Sequence, residues 1–125
     1  MRKLIKIFLV SFALNFIWEN LHSILYITNR GGEITQLILA RATLVDSIII
    51  TVLAIPFIYL KFFKKRNWLI IPICIVISVL IEAYAIDTGR WVYASSMPII
   101  PILDIGLTPT LQLGILGYLT FAMII

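Results

Sequence analysis

The stretch WLIIPICIVISVLIEAYAID, residues 68–87, contains no basic residue and reaches its first carboxylate only at Glu82. A helix needs about 20 mostly apolar residues to cross a hydrocarbon core about 30 Å thick, so this stretch predicts a transmembrane helix. Apolar segments on either side of it predict three more. We therefore expect an all-α bundle of four transmembrane helices. The predicted spans are residues 4–27, 37–60, 68–87 and 109–125.

The composition excludes a water-soluble domain. The 125 residues are 62% hydrophobic and 13% charged, with a mean hydropathy of +1.08. A soluble protein of that composition would expose large apolar patches, so we expect one transmembrane domain over residues 1–125. The basic residues do not alternate with aromatic residues on one polar face, which excludes a nucleic-acid partner. Cys74 is the single cysteine, so a metal site built on cysteines is excluded as well.

The charges of the connecting segments predict the orientation. The N-terminal residues and the connection between the second and third spans carry seven basic residues and no acidic ones. These are Arg2, Lys3, Lys6, Lys61, Lys64, Lys65 and Arg66. The opposite side has three basic and six acidic residues. By the positive-inside rule, both termini are expected in the cytoplasm of a bacterium or archaeon, with the acidic residues towards the outer side of its membrane.

Three carboxylates fall at similar depths on three different helices. Glu19 lies near the outer end of the first span, Asp46 in the outer half of the second, and Glu82 near the outer end of the third. An ionised carboxylate that faces lipid costs several kcal/mol, so each should face the bundle interior or a wet cavity. At about 100° per residue, one arc of the first helix collects further polar and aromatic residues. That arc contains Asn15, Trp18, Glu19, His22 and Tyr26.

These residues predict an acid–base site. A carboxylic acid in an apolar cavity can remain protonated near neutral pH and donate its proton to an apolar substrate. We expect Glu19 to be the principal proton donor, with Asp46 and Glu82 as its partners and His22 as a relay. Aromatic faces would stabilise a carbocation. The residues predicted to bind the substrate are Asn15, Trp18, Tyr26, Arg90, Trp91, Tyr93 and Gln112.

Other interpretations of the polar residues stay open. Interhelical hydrogen bonds alone could explain the serines, threonines and asparagines, and Arg41 and Arg90 could pair with the carboxylates in a structural ion cluster. Residues 19–22 also have the E-x-x-H spacing of carboxylate-bridged di-iron bundles. Such a site needs two E-x-x-H pairs and two more glutamates, whereas the chain has a single histidine. We therefore predict no metal and no other cofactor.

Two short motifs resemble known membrane cyclases. Residues 15–19, NFIWE, resemble the N-x-x-W-E pattern of integral membrane terpene cyclases, which implies that the acidic residue takes part in protonating the substrate. Residues 82–93, with an acidic helix end followed by Gly-x-Trp-x-Tyr, are similar to a stretch of the small lycopene cyclase subunits. Those subunits continue with Pro-x-Glu-Glu, whereas residues 101–104 here read PILD. Terpene cyclases are also about twice as long, so a chain of this length would have to dimerise, as a homo-oligomer, or act as a half-site.

The order of motifs along the whole chain also looks like that of small bacterial four-helix membrane proteins of unknown function. From the residues and these resemblances we expect an integral membrane cyclase or isomerase that protonates an isoprenoid or other lipid without a redox cofactor. A small dimeric proton-coupled transporter or ion pathway is the first alternative, because a membrane-embedded glutamate suits that function equally. A non-catalytic membrane assembly subunit is the second alternative.

Overall fold

The computed structural model describes residues 2–23, 26–29, 34–89, 91–101 and 105–125, without the side chains of residues 26–29, 91, 92 and 105. Its four main helices are α1 (Arg2–His22), α2 (Gln36–Tyr59), α3 (Ile70–Asp87) and α4 (Leu107–Ile124). Short 3-10 turns cover Lys61–Phe63 and Asn67–Leu69, the second of which leads directly into α3. All four helical segments are long and apolar enough to cross a membrane. The prediction of an all-α chain with four candidate spans is therefore confirmed.

Four short strands connect the helices. They are β1 (Tyr26–Asn29), β2 (Trp91–Tyr93), β3 (Ile99–Ile100) and β4 (Ile105–Gly106). β1 pairs with β2 and β3 pairs with β4, both antiparallel. Both pairs lie where α1 and α3 end and α2 and α4 begin, and we call this the loop end of the bundle. The opposite end, where α1 begins and the basic Lys61–Arg66 turn lies, is called the basic end.

The first helix is shorter than its apolar sequence suggests. The predicted span ran to residue 27, but α1 ends at His22, and Tyr26 belongs to β1 and not to the polar stripe of α1. Near the end of α1, Ser23 Oγ donates a hydrogen bond to the Asn20 carbonyl, so a side chain competes for backbone groups there. The following backbone finds its partners in β2 instead of in another helical turn. The placement of Tyr26 on the helix was therefore wrong.

Helices α3 and α4 begin and end at identifiable signals. Gly89 has a φ of 74° and its amide donates to the Ile86 carbonyl, which closes the last turn of α3 in the way glycine commonly does after a helix. Pro109 lies in the first turn of α4, where a missing amide hydrogen costs nothing because that hydrogen would have no helical partner. The predicted fourth span began at residue 109, two residues later than the helix itself.

The basic half of the bundle has an apolar core. Phe57 of α2 packs against Phe121 of α4 with a ring-centroid distance of 5.0 Å, and both side chains are buried. Ile7, Ile50 and Ile70 contribute to the same core from α1, α2 and α3, and none of them is exposed. Between helices in a bilayer, such side chains stabilise the contact mainly by van der Waals packing, because lipid is as apolar as they are. The fold is thus held at the basic end by hydrocarbon packing.

The helices do not pack equally against one another. α1 lies against α2 and α4, and α3 lies against α4, whereas the described residues of α2 and α3 are not closely packed together. Gly114 allows the approach of α3 and α4, because a Cβ there would be 3.1 Å from the Ile71 carbonyl oxygen. We call the region between the described residues of α2 and α3 the α2–α3 seam.

Candidate functional site

Gln112 of α4 joins polar groups from two other helices. Its Nε2 lies 3.0 Å from Asn15 Oδ1, 2.9 Å from Glu19 Oε1 and 3.0 Å from Asp46 Oδ2. An amide nitrogen has two hydrogens, so one of them must be shared between two of these three acceptors. Gln112 is 4% exposed, which keeps these hydrogen bonds away from competing polar groups. One amide therefore gathers α1, α2 and α4 around one point.

The carboxyl groups of Glu19 and Asp46 are neighbours, because Glu19 Oε1 and Asp46 Oδ2 lie 2.9 and 3.0 Å from the same Gln112 nitrogen. Glu82 lies close enough to interact electrostatically with both. Two ionised carboxylates that share one donor would repel each other in a medium of low dielectric constant, which favours a state in which one of them is protonated. We call Glu19 and Asp46 the acid pair.

Asn15 is oriented by its own helix. Its Nδ2 donates to the Ser11 carbonyl oxygen at 2.7 Å, and the residue is fully buried. The amide oxygen is thereby left to accept the hydrogen bond from Gln112. Asn15 thus fixes the Gln112 amide, and the amide in turn fixes the acid pair.

Glu82 is tied to the loop end of the bundle. Tyr93 Oη in β2 donates a hydrogen bond to Glu82 Oε1 at 2.7 Å, and the Gly106 amide donates to the same Oη at 2.9 Å. Burial, and after it the hydrogen bond to Glu82, raises the pKa of the Tyr93 phenol, while the bond from Gly106 opposes this to a smaller extent. Tyr93 therefore remains a neutral hydrogen-bond donor at physiological pH.

His22, at the end of α1, contacts the first turn of α4. Its Nε2 is 2.5 Å from Thr108 Oγ1 at the start of α4, and Thr108 Oγ1 is in turn 3.4 Å from Met97 Sδ. The Trp18 ring lies next to it, with ring centroids 6.0 Å apart. His22 and Trp18 thus form the part of the site where α1 meets the loop end.

Ser78 and Trp18 each have a buried polar atom that makes no hydrogen bond with the described residues. Ser78 is 4% exposed, and its Oγ has no hydrogen-bond partner among the residues that the structure describes. The same holds for the buried Nε1 of Trp18. Buried polar atoms without partners are uncommon and require an explanation. Each of these two residues neighbours a carboxyl group of the site, since Trp18 precedes Glu19 and Ser78 is one turn from Glu82.

The structure brings together most of the residues predicted from the sequence. Asn15, Glu19, Asp46 and Gln112 are in direct contact, Glu82 and Tyr93 form a second contact, and Trp18 and His22 a third. Arg90 and the side chains of Tyr26 and Trp91 lie outside the described residues, so their predicted roles stay predictions. Both carboxyl groups of the acid pair accept hydrogen bonds from the Gln112 amide. Arg41, which the sequence offered as a counter-ion for the carboxylates, is exposed on α2.

Sequence reasoning missed Thr108 and Ser78. A threonine in the first turn of a helix usually satisfies its own backbone, so nothing marked Thr108 as the partner of His22. Ser78 is one helical turn from Glu82 in the sequence, but its lack of a partner depends on the side-chain conformation. Within the described part of the chain, no three histidine, cysteine, aspartate or glutamate side chains are gathered as ligands for one metal ion.

Comparison with known proteins identifies no relative. No protein-family model matches the chain, and no curated protein or solved structure is significantly similar to it. The chemistry of the site is therefore argued from its geometry.

Proposed function

We propose that the chain is an integral membrane acid–base enzyme, a cyclase or double-bond isomerase that protonates an isoprenoid or other lipid. The observation that carries this proposal is the acid pair itself, because Glu19 and Asp46 converge on the amide nitrogen of Gln112. Two carboxyl groups placed in this way would hold one proton between them. Such a pair holds a proton in an environment with few competing bases. It can therefore deliver that proton to a weakly basic group such as an alkene.

The reaction begins with proton transfer from Glu19. The O–H bond of its carboxyl group breaks, the alkene π electrons form a C–H bond, and a carbocation remains on the neighbouring carbon. In an isomerisation, a carboxylate then removes a proton from an adjacent carbon and the acid pair is restored. In a cyclisation, a second alkene of the same chain attacks the cation before that proton is lost. Neither route needs an oxidant or reductant.

The surroundings of the acid pair support a lipid substrate. The helices that carry Asp46 and Glu82 are not closely packed together, and Asp46 is more exposed than Glu19 or Glu82, each of which is 7% exposed. Apolar side chains of α2 flank Asp46 on the outer surface, including Val45 and Ile48. A molecule dissolved in the bilayer can approach Asp46 along this seam.

Solvent deuterium tests the proposal for any lipid substrate that the acid pair protonates. Membranes that contain the protein are incubated in D₂O with the lipid extract of their source and a panel of isoprenoids, and the lipids are analysed by mass spectrometry. Protonation of an alkene introduces one deuterium from the exchanged acid. We expect Glu19→Gln to lower incorporation by at least about a hundredfold, the usual contribution of a general acid.

Asp87→Asn is the matched control for that experiment. Asp87 is exposed at the end of α3, so the variant removes a carboxyl group from the same chain without touching the acid pair. We expect its deuterium incorporation to equal that of the wild type. If the wild type introduces no more deuterium than Glu19→Gln into any lipid, the proposed reaction is excluded.

A proton-coupled transporter is the second candidate. Buried Ser11 and Asn15 continue the polar stripe of α1 from Glu19 towards the basic end, as a proton path would. Both, however, donate to carbonyls of their own helix, and the core beyond them is formed by Ile7, Ile50 and Phe57. An apolar core in the basic half of the bundle would obstruct a proton path, which favours the enzyme over the transporter. Proteoliposomes with a trapped pH dye would distinguish the two, since only a transporter dissipates a pH gradient.

A further inference from the structure

The hydroxyl of Ser78 behaves differently from the other buried hydroxyls of the bundle. Each of those donates to a carbonyl oxygen of its own helix three or four residues earlier, at distances between 2.7 and 3.1 Å. They belong to Ser11, Thr43, Ser47, Thr110 and Thr120. Ser78 is equally buried and is in the middle of α3, yet its Oγ makes no such bond. Its hydroxyl is therefore turned away from the carbonyl that a helical serine ordinarily uses.

Ser78 lies on the side of α3 that borders the acid pair. Cys74, one turn before it, interacts electrostatically with Asp46, and Glu82, one turn after it, interacts with both members of the acid pair. Residues four apart on a helix share a face. Ser78 thus lies on the face of α3 that is turned towards Asp46, and the described residues of α2 and α3 are not closely packed.

A second donor without a partner among the described residues belongs to Trp18, which precedes Glu19 on α1. Trp18 Nε1 is buried and has no hydrogen-bond partner among the described residues, and an indole nitrogen can only donate. An unmade hydrogen bond of a buried group destabilises the protein, because the group has lost its hydrogen bonds to water. A pure hydrocarbon offers no acceptor to Ser78 or Trp18, whereas a molecule with an oxygen atom does.

We propose that Ser78 is a ligand-binding residue of the acid pair, donating its hydrogen to the oxygen of an oxygen-bearing lipid that enters between α2 and α3. This inference rests on the proposed function only in placing the ligand at the acid pair. It narrows the substrate class from any isoprenoid or lipid to one with a hydroxyl, carbonyl or ether oxygen near the reacting carbon. A bound water molecule is the other source of an acceptor oxygen at this position.

Two saturated probes test the oxygen requirement. Phytanol and phytane have the same branched skeleton, and only phytanol has an oxygen; neither has an alkene, so neither can react with the acid pair. The thermal unfolding of the full chain in nanodiscs is followed by tryptophan fluorescence while each probe is added. We expect phytanol to raise the melting temperature of the wild type and phytane to raise it markedly less. Equal shifts with both probes would overturn the inference, whatever the variants show.

Ser78→Ala tests the residue itself. The loss of one neutral hydrogen bond should weaken phytanol binding about two- to tenfold, and Ser78→Thr, which keeps a hydroxyl, should restore most of it. Ser11→Ala is the matched control, because Ser11 is buried but bonds to the Phe8 carbonyl. Phytanol binding that is unchanged in Ser78→Ala would contradict the assignment.

The melting temperatures without a probe separate lipid from water. If the Ser78 hydroxyl is unsatisfied in the ligand-free protein, Ser78→Ala should melt at the same temperature as the wild type or higher. A lower melting temperature than that of Ser11→Ala would mean that a bound water already satisfies Ser78, which overturns the lipid assignment. Because the probes have no alkene for the acid pair to protonate, a negative deuterium experiment and a negative phytanol experiment are independent results.

Discussion

Gln112 and Asp46 are 66 residues apart in sequence, and their side chains meet at 3.0 Å in the interior of the bundle. The same amide nitrogen reaches Glu19 at 2.9 Å, so a neutral residue of α4 determines where the carboxyl groups of α1 and α2 lie. A donor in this position can compensate for bringing two carboxyl groups together in an apolar setting, because it supplies hydrogens that neither carboxylate has. Gln112 is accordingly a positioning residue of the acid pair.

Replacement of Gln112 should destabilise the fold. Gln112→Leu removes the donor from three buried acceptors, and we expect a loss of about 1–3 kcal/mol in the free energy of unfolding. Thermal unfolding in detergent micelles measures this as a lower melting temperature. Gln36→Leu is the control, because the Gln36 amide is exposed and bonds only to Asn20 Oδ1 among the described residues. If both variants melt at the same temperature, Gln112 does not hold the acid pair.

The Tyr93 phenol predicts a dependence of stability on alkaline pH. The pKa of Tyr93 is raised in the folded chain, chiefly by burial, so above the ordinary value of about 10 the unfolded chain loses this proton before the folded chain does. The stability associated with the neutral phenol is complete below pH 10 and decreases as the pH rises towards the folded-state pKa. We expect the wild type to lose stability between about pH 10 and 11 more steeply than Tyr93→Phe.

A control variant distinguishes the contribution of Tyr93 to this pH dependence from the contributions of other groups that titrate at high pH. Tyr59 is 59% exposed at the end of α2, so Tyr59→Phe should retain the steep wild-type dependence. Denaturant unfolding at a series of pH values would show it. An identical slope for the wild type and Tyr93→Phe would contradict the predicted role of Tyr93.

The apolar half of the bundle should account for much of the stability. Phe57→Ala removes a fully buried ring that contacts Phe63 and Phe121 at 5.0 Å each, and we expect a loss of about 3–5 kcal/mol. Phe62→Ala, at a ring that is 64% exposed, should cost far less. The two melting temperatures measured in the same detergent provide the comparison. Similar losses would mean that Phe57 is not part of a packed core.

The proposed orientation predicts which end of the bundle a membrane-impermeant thiol reagent reaches. With Cys74 replaced by alanine, Ser95→Cys at the loop end should react in intact cells, whereas Lys64→Cys at the basic end should react only after the membrane is opened. Both positions are exposed, so accessibility depends on the side of the membrane alone. The reverse pattern would place the acid pair towards the cytoplasm.

The sequence alone determined the number and approximate bounds of the helices, because residues 68–87 and the other apolar stretches can bury their backbone groups in a bilayer only as helices. It also predicted that Glu19, Asp46 and Glu82 lie at similar depths, since depth follows from position along a span. The sequence did not predict the end of α1, because the apolar run continues to residue 27. The structure shows that the chain after α1 pairs with β2 instead.

Tertiary structure alone decided how the polar residues are connected. Helical phase showed that Asn15 and Glu19 share a face, but not that Gln112 would be their partner, because side-chain hydrogen bonds depend on how the helices are rotated and spaced. The same holds for Ser78, whose missing partner reflects a side-chain conformation at the α2–α3 seam. The hydrophobic pattern of the sequence determines where whole helices form. Whether two side chains form a hydrogen bond, or a hydroxyl is left without a partner, depends on differences in distance of a few tenths of an ångström.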